Sequence, residues 1–150
     1  MMNEEYIQKL VENFLEKASF SGSVTVEKDE NRYQVSITTD DGGLLIGQGG
    51  THILALQHLI RLCLRKEAKD EEGVNIYVDV NGYWKEKEKI LEQEALEAAK
   101  KVMEGGESVV LRAMNAHERK IVHDTLAKEA VTTESTGFGT DRRIVVKRAN

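Results

Sequence analysis

Leu44-Leu45-Ile46-Gly47-Gln48-Gly49-Gly50-Thr51 is the stretch on which the reading of this chain turns. A short apolar turn meets glycine at 47, 49 and 50. A helical pattern follows from Thr51 to Lys66, with Ile53, Leu54, Leu56, Leu59, Ile60, Cys63 and Leu64 on one broad face and Thr51 placed to cap it. Glycines at a helix N-terminus let backbone N–H groups face a ligand while the helix dipole favours negative charge, so the loop suits phosphate. A P-loop needs lysine after the second glycine of G-x-x-x-x-G. Gly42 and Gly47 have that spacing, but Gln48 and Gly49 stand where Lys and Ser or Thr belong. A dinucleotide fingerprint begun at Gly47 needs glycine at 52, which is His52, and Leu44 to Ile46 occupy the place of the entering strand. A helix-to-helix turn that needs glycine only for its geometry stays open as the plain alternative.

Upstream, Ile7, Leu10, Val11, Phe14, Leu15 and Ala18 recur at helical spacing over residues 3–18. Ser21-Gly22-Ser23 breaks that helix. Val24 and Val26, then Tyr33, Val35 and Ile37, alternate with period two around Asp29-Glu30-Asn31 and predict a hairpin. Asp40-Asp41-Gly42-Gly43 closes the second strand. Downstream, Lys69-Asp70-Glu71-Glu72 and Gly73 predict a solvated helix end and turn, and Val74, Ile76, Val78 and Val80 predict a strand up to Asn81-Gly82. The order is helix, strand, strand, short helix, loop, helix, strand.

That order around Ile46-Gly47-Gln48-Gly49-Gly50 resembles a type II KH domain, in which a G-x-x-G loop between two helices clamps about four nucleotides of backbone. The resemblance covers about residues 3–80. It implies that Ile46, Gly47, Gln48, Gly49, Gly50 and Thr51 meet single-stranded RNA.

Asn81-Gly82 is the expected boundary, giving domains 1–82 and 83–150. Beyond it, Leu91, Ala95, Ala98, Ala99 and Val102 mark a long helix that stops at Gly105-Gly106. Ser108–Leu111 reads as a strand, Asn115–Lys128 as a helix, and Val131–Ser135 and Arg142–Lys147 as a hairpin around Thr136 to Asp141. The fold class is α+β: a three-stranded sheet with helices, then a second small α+β unit. Tyr83 and Trp84, at the junction, could stack on a base or pack the long helix onto the first sheet.

Arg119 and His123 project about 40° apart on one helix and can reach one ligand together. Taken alone they also fit a solvated arginine and a histidine bonded to neighbouring backbone. Met114 to His123, Thr133 to Gly137 and Arg142 to Val146 together resemble the R-x-x-x-H domain, a single-stranded nucleic-acid-binding module. KH followed by R-x-x-x-H is similar to the bacterial Jag family, also called KhpB. The resemblance implies RNA binding, work alongside a small separate KH protein, and influence on cell envelope growth and small-RNA regulation. It also implies that Arg119, Lys120, His123, Arg142 and Arg143 face RNA. Two differences from the family pattern are expected: the sequence begins at the KH helix where the family usually has an extra N-terminal domain, and Ala113 stands where proline is common.

The net charge of −5 is unevenly spread: residues 1–43 hold four basic and nine acidic side chains, residues 112–150 eight basic and five acidic. An electropositive face on an acidic protein is compatible with phosphate contact. No apolar run is long enough for a membrane span, and MMNEEYIQKL is no signal peptide, so the cytoplasm is the expected compartment. Cys63, the one cysteine, is expected to be a buried core side chain. Histidines at 52, 58, 117 and 123 offer no zinc spacing, so no metal or cofactor is expected. Asp40 and Asp41 could serve a magnesium enzyme but are commonly turn formers. The expected function is non-catalytic RNA binding without a small-molecule substrate. A nucleotide-dependent enzyme using the glycine loop and a protein-interaction adaptor are the alternatives.

Overall fold

In the computed structural model, which describes residues 2–68 and 73–150, the chain forms two compact units, Met1–Trp84 and Lys85–Asn150. The run Lys69 to Glu72, read above as a solvated turn, lies outside the described residues.

The first unit opens with α1 (Glu4–Lys17), whose cap residue Asn3 accepts the Tyr6 N–H at 2.9 Å. β1 (Ser23–Asp29) and β2 (Arg32–Thr38) make the antiparallel hairpin, with Val26 opposite Val35 and Asp29 opposite Arg32. β3 (Ile76–Val80) lies parallel to β2, with Val35 beside Val78, giving the order β1-β2-β3. α2 (Gly42–Ile46), a single 3-10 turn over Gln48–Gly50 and α3 (Thr51–Ala68) cross from one strand to the other.

Ile7, Val11 and Leu15 of α1 meet Val35, Ile37, Val78 and Val80 of the sheet and Ile53, Leu56, Ile60 and Leu64 of α3 in one buried core. Each such side chain contributes about 1.5–3 kcal/mol of burial. The inward stripe of α3 is narrower than its apolar pattern. Leu54, Leu59 and Leu62 stay 47–50% exposed, and Cys63, expected in the core, is exposed. One helix turn offers the core only about a third of its circumference, and Leu64 occupies that sector beside Cys63.

The open edge of β3 is covered by side chains rather than by another strand. Gln57 Oε1 accepts the Val78 N–H at 2.9 Å, the Trp84 indole N–H donates to Val78 O at 3.1 Å, and Arg61 donates to Ile76 O at 3.4 Å. These bonds satisfy backbone groups that would otherwise invite pairing.

The second unit contains most of α4 (Tyr83–Gly105), then β4 (Val109–Ala113), α5 (Ala116–Leu126), β5 (Val131–Thr136) and β6 (Arg143–Arg148). Its sheet is antiparallel in the order β4-β6-β5. Leu91, Ala95, Ala98, Ala99 and Val102 from α4 and Val122 and Leu126 from α5 pack with Ile144 and Val146 of β6. The small alanines let α4 approach closely.

Glu118 holds the start of α5. Asn115 accepts the Glu118 N–H at 2.9 Å and the Glu118 carboxylate accepts the Asn115 N–H at 2.8 Å, a reciprocal capping box. The same carboxylate pairs with Lys87 of α4 at 2.9 Å and lies 3.8 Å from Arg112 of β4. Burial pushes this carboxyl upward, but the Lys87 ammonium, the Asn115 N–H and Arg112 outweigh it and hold it below its usual value. A depressed folded-state value stabilises the fold fully above the ordinary carboxylate range of about 4.3 and is lost as pH falls through the lower folded value. Glu118→Gln is therefore expected to cost roughly 1–3 kcal/mol at neutral pH. In denaturant titrations of both proteins, the gap should narrow as the buffer becomes acidic; a gap independent of pH would refute the ionic role.

Candidate nucleic-acid interface

The glycine turn divides into two fixed and two presented positions. Gly47 has φ of 70°, and a Cβ there would stand 2.4 Å from the ring of His52. That ring is itself held by a 2.6 Å hydrogen bond between Nδ1 and the Leu44 carbonyl. Gly50 has φ of 82°, and its Cβ would lie 2.5 Å from the Trp84 ring and 2.9 Å from Tyr83. Left-handed backbone and packed rings together demand glycine at both places. Gln48 and Gly49, between them, are exposed.

The backbone amides differ from expectation. Gly47 N–H donates to Gly43 O at 3.2 Å, Gly50 N–H to Gly47 O at 3.4 Å, and Thr51 N–H to Gln48 O. These groups serve the turn itself rather than a ligand. The loop offers instead a surface almost bare of side chains at the positive end of the 18-residue α3, where a phosphodiester can approach closely. Thr51 is exposed but does not cap α3. Its φ of −59° and ψ of −36° are helical, because the 3-10 turn runs straight into the helix without the extended residue a cap requires. Ile46 leans on the first core, half-buried.

Tyr83 and Trp84 meet edge to face with centroids 5.0 Å apart, and both pack against the first core. The Trp84 N–H also donates to Asp79 Oδ1 at 3.2 Å. Of the two roles open to this pair, packing is the one observed. Asp41 precedes α2, and its N–H is held by Thr39 Oγ1 at 3.1 Å, as in a turn former.

In the second unit, α5 carries Arg119 and His123 on one flank. Arg119 donates to Met114 O at 2.7 Å and lines a crevice of about 400 Å3 with Ala113, Met114, Asn115, Gly139 and Thr140. A guanidinium has five donors in a planar fork, so this one bond leaves it capacity for a phosphate. His123 is bonded across to β5: Nδ1 to Thr133 Oγ1 at 2.6 Å and Nε2 to Ser135 Oγ at 3.1 Å. Both ring nitrogens thus have hydroxyl partners, which makes the imidazole a brace between α5 and β5. Thr133 and Ser135 were absent from the expected site. Their period-two spacing was the available signal, since alternate strand residues share a face.

Lys120 is exposed, one residue further round α5. Arg142 lies half-buried beside the β5–β6 connection, donating to Gly137 O at 2.8 Å. Arg143 is not brought together with His123. Ile144 and Val146 point into the core, so Arg143, paired with Thr136, lies on the other face of the sheet, while Ser135, paired with Ile144, lies on the His123 side. Among the described residues, no three His, Cys, Asp or Glu side chains stand together as a metal-binding group, and no helix is long and apolar enough to cross a membrane.

A G-x-x-G turn inside a three-stranded unit, followed by a unit with paired Arg and His on one helix, defines a two-domain architecture, and comparison with known proteins agrees. Residues 4–80 match the KhpA/KhpB KH domain and residues 89–148 the R-x-x-x-H domain. The chain belongs to the KhpB family, also called Jag. It is 32% identical over 144 residues to the RNA-binding protein KhpB of Bacillus subtilis, which covers 94% of this chain and 66% of that protein. It is 33% identical over 131 residues to KhpB of Clostridium symbiosum, covering 85% and 58%. KhpB of Lactiplantibacillus plantarum is 34% identical over 149 residues, covering 96% of this chain and 45% of the relative. The chain thus spans between about half and two thirds of the length of these relatives.

Trp84 is the sole tryptophan of the chain, so its emission reports on the ring that Gly50 touches. Gly50→Ala should shift that emission and lower the stability of the first unit by about 1–3 kcal/mol through overpacking and left-handed strain. Thermal melts followed by tryptophan fluorescence check this, and an unchanged spectrum and midpoint would contradict the packing described.

Proposed function

We propose that this chain binds single-stranded RNA through both units, without catalysing a reaction on it. The observation that carries the proposal is the exposed Gln48-Gly49 apex between two glycines locked by His52 and Trp84. A phosphodiester backbone needs close approach at such an apex, and the dipole of α3 favours its charge. Arg119, aimed into a crevice lined by Asn115 and Thr140, supplies a cation in the second unit. The names of the relatives, RNA-binding protein KhpB, support the same reading.

The cellular role we propose follows the family: a cytoplasmic post-transcriptional regulator or RNA chaperone connected with envelope growth, working beside a small separate KH protein. The outward leucines of α3, Leu54, Leu59 and Leu62, supply apolar surface that a protein partner could cover. No small-molecule substrate, cofactor or metal enters the proposal.

Replacing both Gln48 and Gly49 with Asp places two carboxylates where phosphate must approach. Gly49 has φ of 63°, and Asp is among the side chains that tolerate that left-handed backbone. RNA affinity in fluorescence anisotropy should fall at least about tenfold while the circular dichroism spectrum is retained, because both positions face solvent. Wild-type affinity should fall linearly with the logarithm of salt concentration, with a slope of about 0.7 per phosphate neutralised on a single strand. A flat salt dependence, or unchanged affinity in the double variant, would refute phosphate contact at the loop. Equilibrium dialysis with ATP and GTP is expected to show no binding; saturable binding would favour the nucleotide enzyme instead.

A further inference from the structure

One side chain of the second unit has no part in its core. Phe138 is 91% exposed, the most exposed large apolar side chain among the described residues. It stands between Gly137 and Gly139 in the connection from β5 to β6. That connection is braced by its own hydrogen bonds. Arg142 Nη1 donates to Gly137 O at 2.8 Å, Asp141 N–H to Phe138 O at 3.1 Å, and Arg142 N–H to Gly139 O at 3.4 Å. Met114 N–H donates to Arg142 O at 3.0 Å and so fastens the connection to the start of α5. The ring is held outward by an ordered loop.

A single exposed apolar side chain is ordinary and needs no explanation by itself. Its surroundings distinguish this one. Gly139 and Thr140, the next two residues, line the same crevice as Arg119. The Arg142 guanidinium lies against the residue before it. The loop's other side chains, from Thr136 to Arg143, are hydroxyls, one carboxylate (Asp141) and two guanidiniums, so the loop itself adds no second apolar side chain to the ring. A flat ring in water, on a loop that carries Arg142 and borders the crevice lined by Arg119, Asn115 and Thr140, matches what an unpaired base requires: a π-face to stack on and cations for the flanking phosphates.

We infer that Phe138 is a base-stacking platform of the second unit, taking one unpaired base of single-stranded RNA while Arg119 and Arg142 hold the adjoining phosphates. This rests on the RNA-binding reading above and adds to it a residue outside the R-x-x-x-H pair. Stacking tolerates any base, so the platform adds affinity without strict sequence preference.

The test uses the full chain and a fluorescein-labelled single-stranded oligoribonucleotide of mixed sequence, titrated by anisotropy at several salt concentrations. Phe138→Ala should weaken binding roughly 5- to 150-fold, the range found for loss of one base–aromatic stack, with the salt slope unchanged because the phosphate contacts persist. Phe138→Trp should bind like wild type, and Phe138→Leu, apolar but without a ring, like Phe138→Ala. Arg119→Gln should show the converse signature, a slope shallower by about 1. Wild-type affinity in Phe138→Ala or Phe138→Leu, alongside losses in Arg119→Gln and in the Gln48/Gly49 double variant, overturns the platform and leaves the RNA reading intact. A loss in Phe138→Ala that comes with the shallower slope overturns it too, because the ring would then be ordering the arginines. Failure of the wild-type chain to bind the oligonucleotide at low salt overturns both.

Discussion

Parallel pairing of β2 with β3 is the constraint on which the first unit depends. Strands running the same way cannot be joined by a tight turn, so the chain after Thr38 must cross over the sheet before it re-enters at Ile76. α2, the glycine turn and α3 are that crossover, with the turn between its two helices. One side chain staples the edge of the sheet from which the crossover departs. The Asn81 amide accepts the Thr39 N–H at 3.0 Å and donates to Thr39 O at 2.9 Å, just past the ends of β3 and β2. The apex is thus presented by a framework whose geometry is set at its base.

The second unit meets a similar demand by other means. Its helix α5 is short, 11 residues, and a helix of that length is marginal on its own. Tertiary bonds fix it near both ends. Glu118 ties its first turn to Lys87, and His123 ties its later turns to Thr133 and Ser135. Arg119 lies between these two anchors, held by Met114 O. His123 has both ring nitrogens bonded to hydroxyls of β5, while the Arg119 bond to Met114 O engages one of its five donors.

Much of this was legible in the sequence because it is written in local periodicity. Val24, Val26, Val35 and Ile37 alternate, Ile7, Val11 and Leu15 recur at helical spacing, and the buried positions in the structure follow those patterns. The order of elements around Gly47 to Gly50 was readable for the same reason. What escaped was set by partners distant in the chain. The apolar breadth of α3 gave no sign of which stripe the sheet would cover, so Cys63 was expected inside. Thr51 had the chemistry of a cap, but a 3-10 turn feeding directly into the helix removed the position. His123 was read with Arg119 as a ligand pair, because nothing nearby announces that two hydroxyls of β5 occupy its ring. Arg143 was grouped with them on the family resemblance, although strand alternation turns it to the other face. Phe138 was passed over as part of a turn.

The division of labour within the glycine turn also bears on how such a loop can diversify. Positions 47 and 50 are fixed from inside, by His52 and by the Tyr83–Trp84 pair, so change there must be matched by change in a neighbour. Positions 48 and 49 face the solvent side. A side chain at position 48 meets no left-handed constraint, whereas position 49, with φ of 63°, admits only residues that tolerate such a backbone.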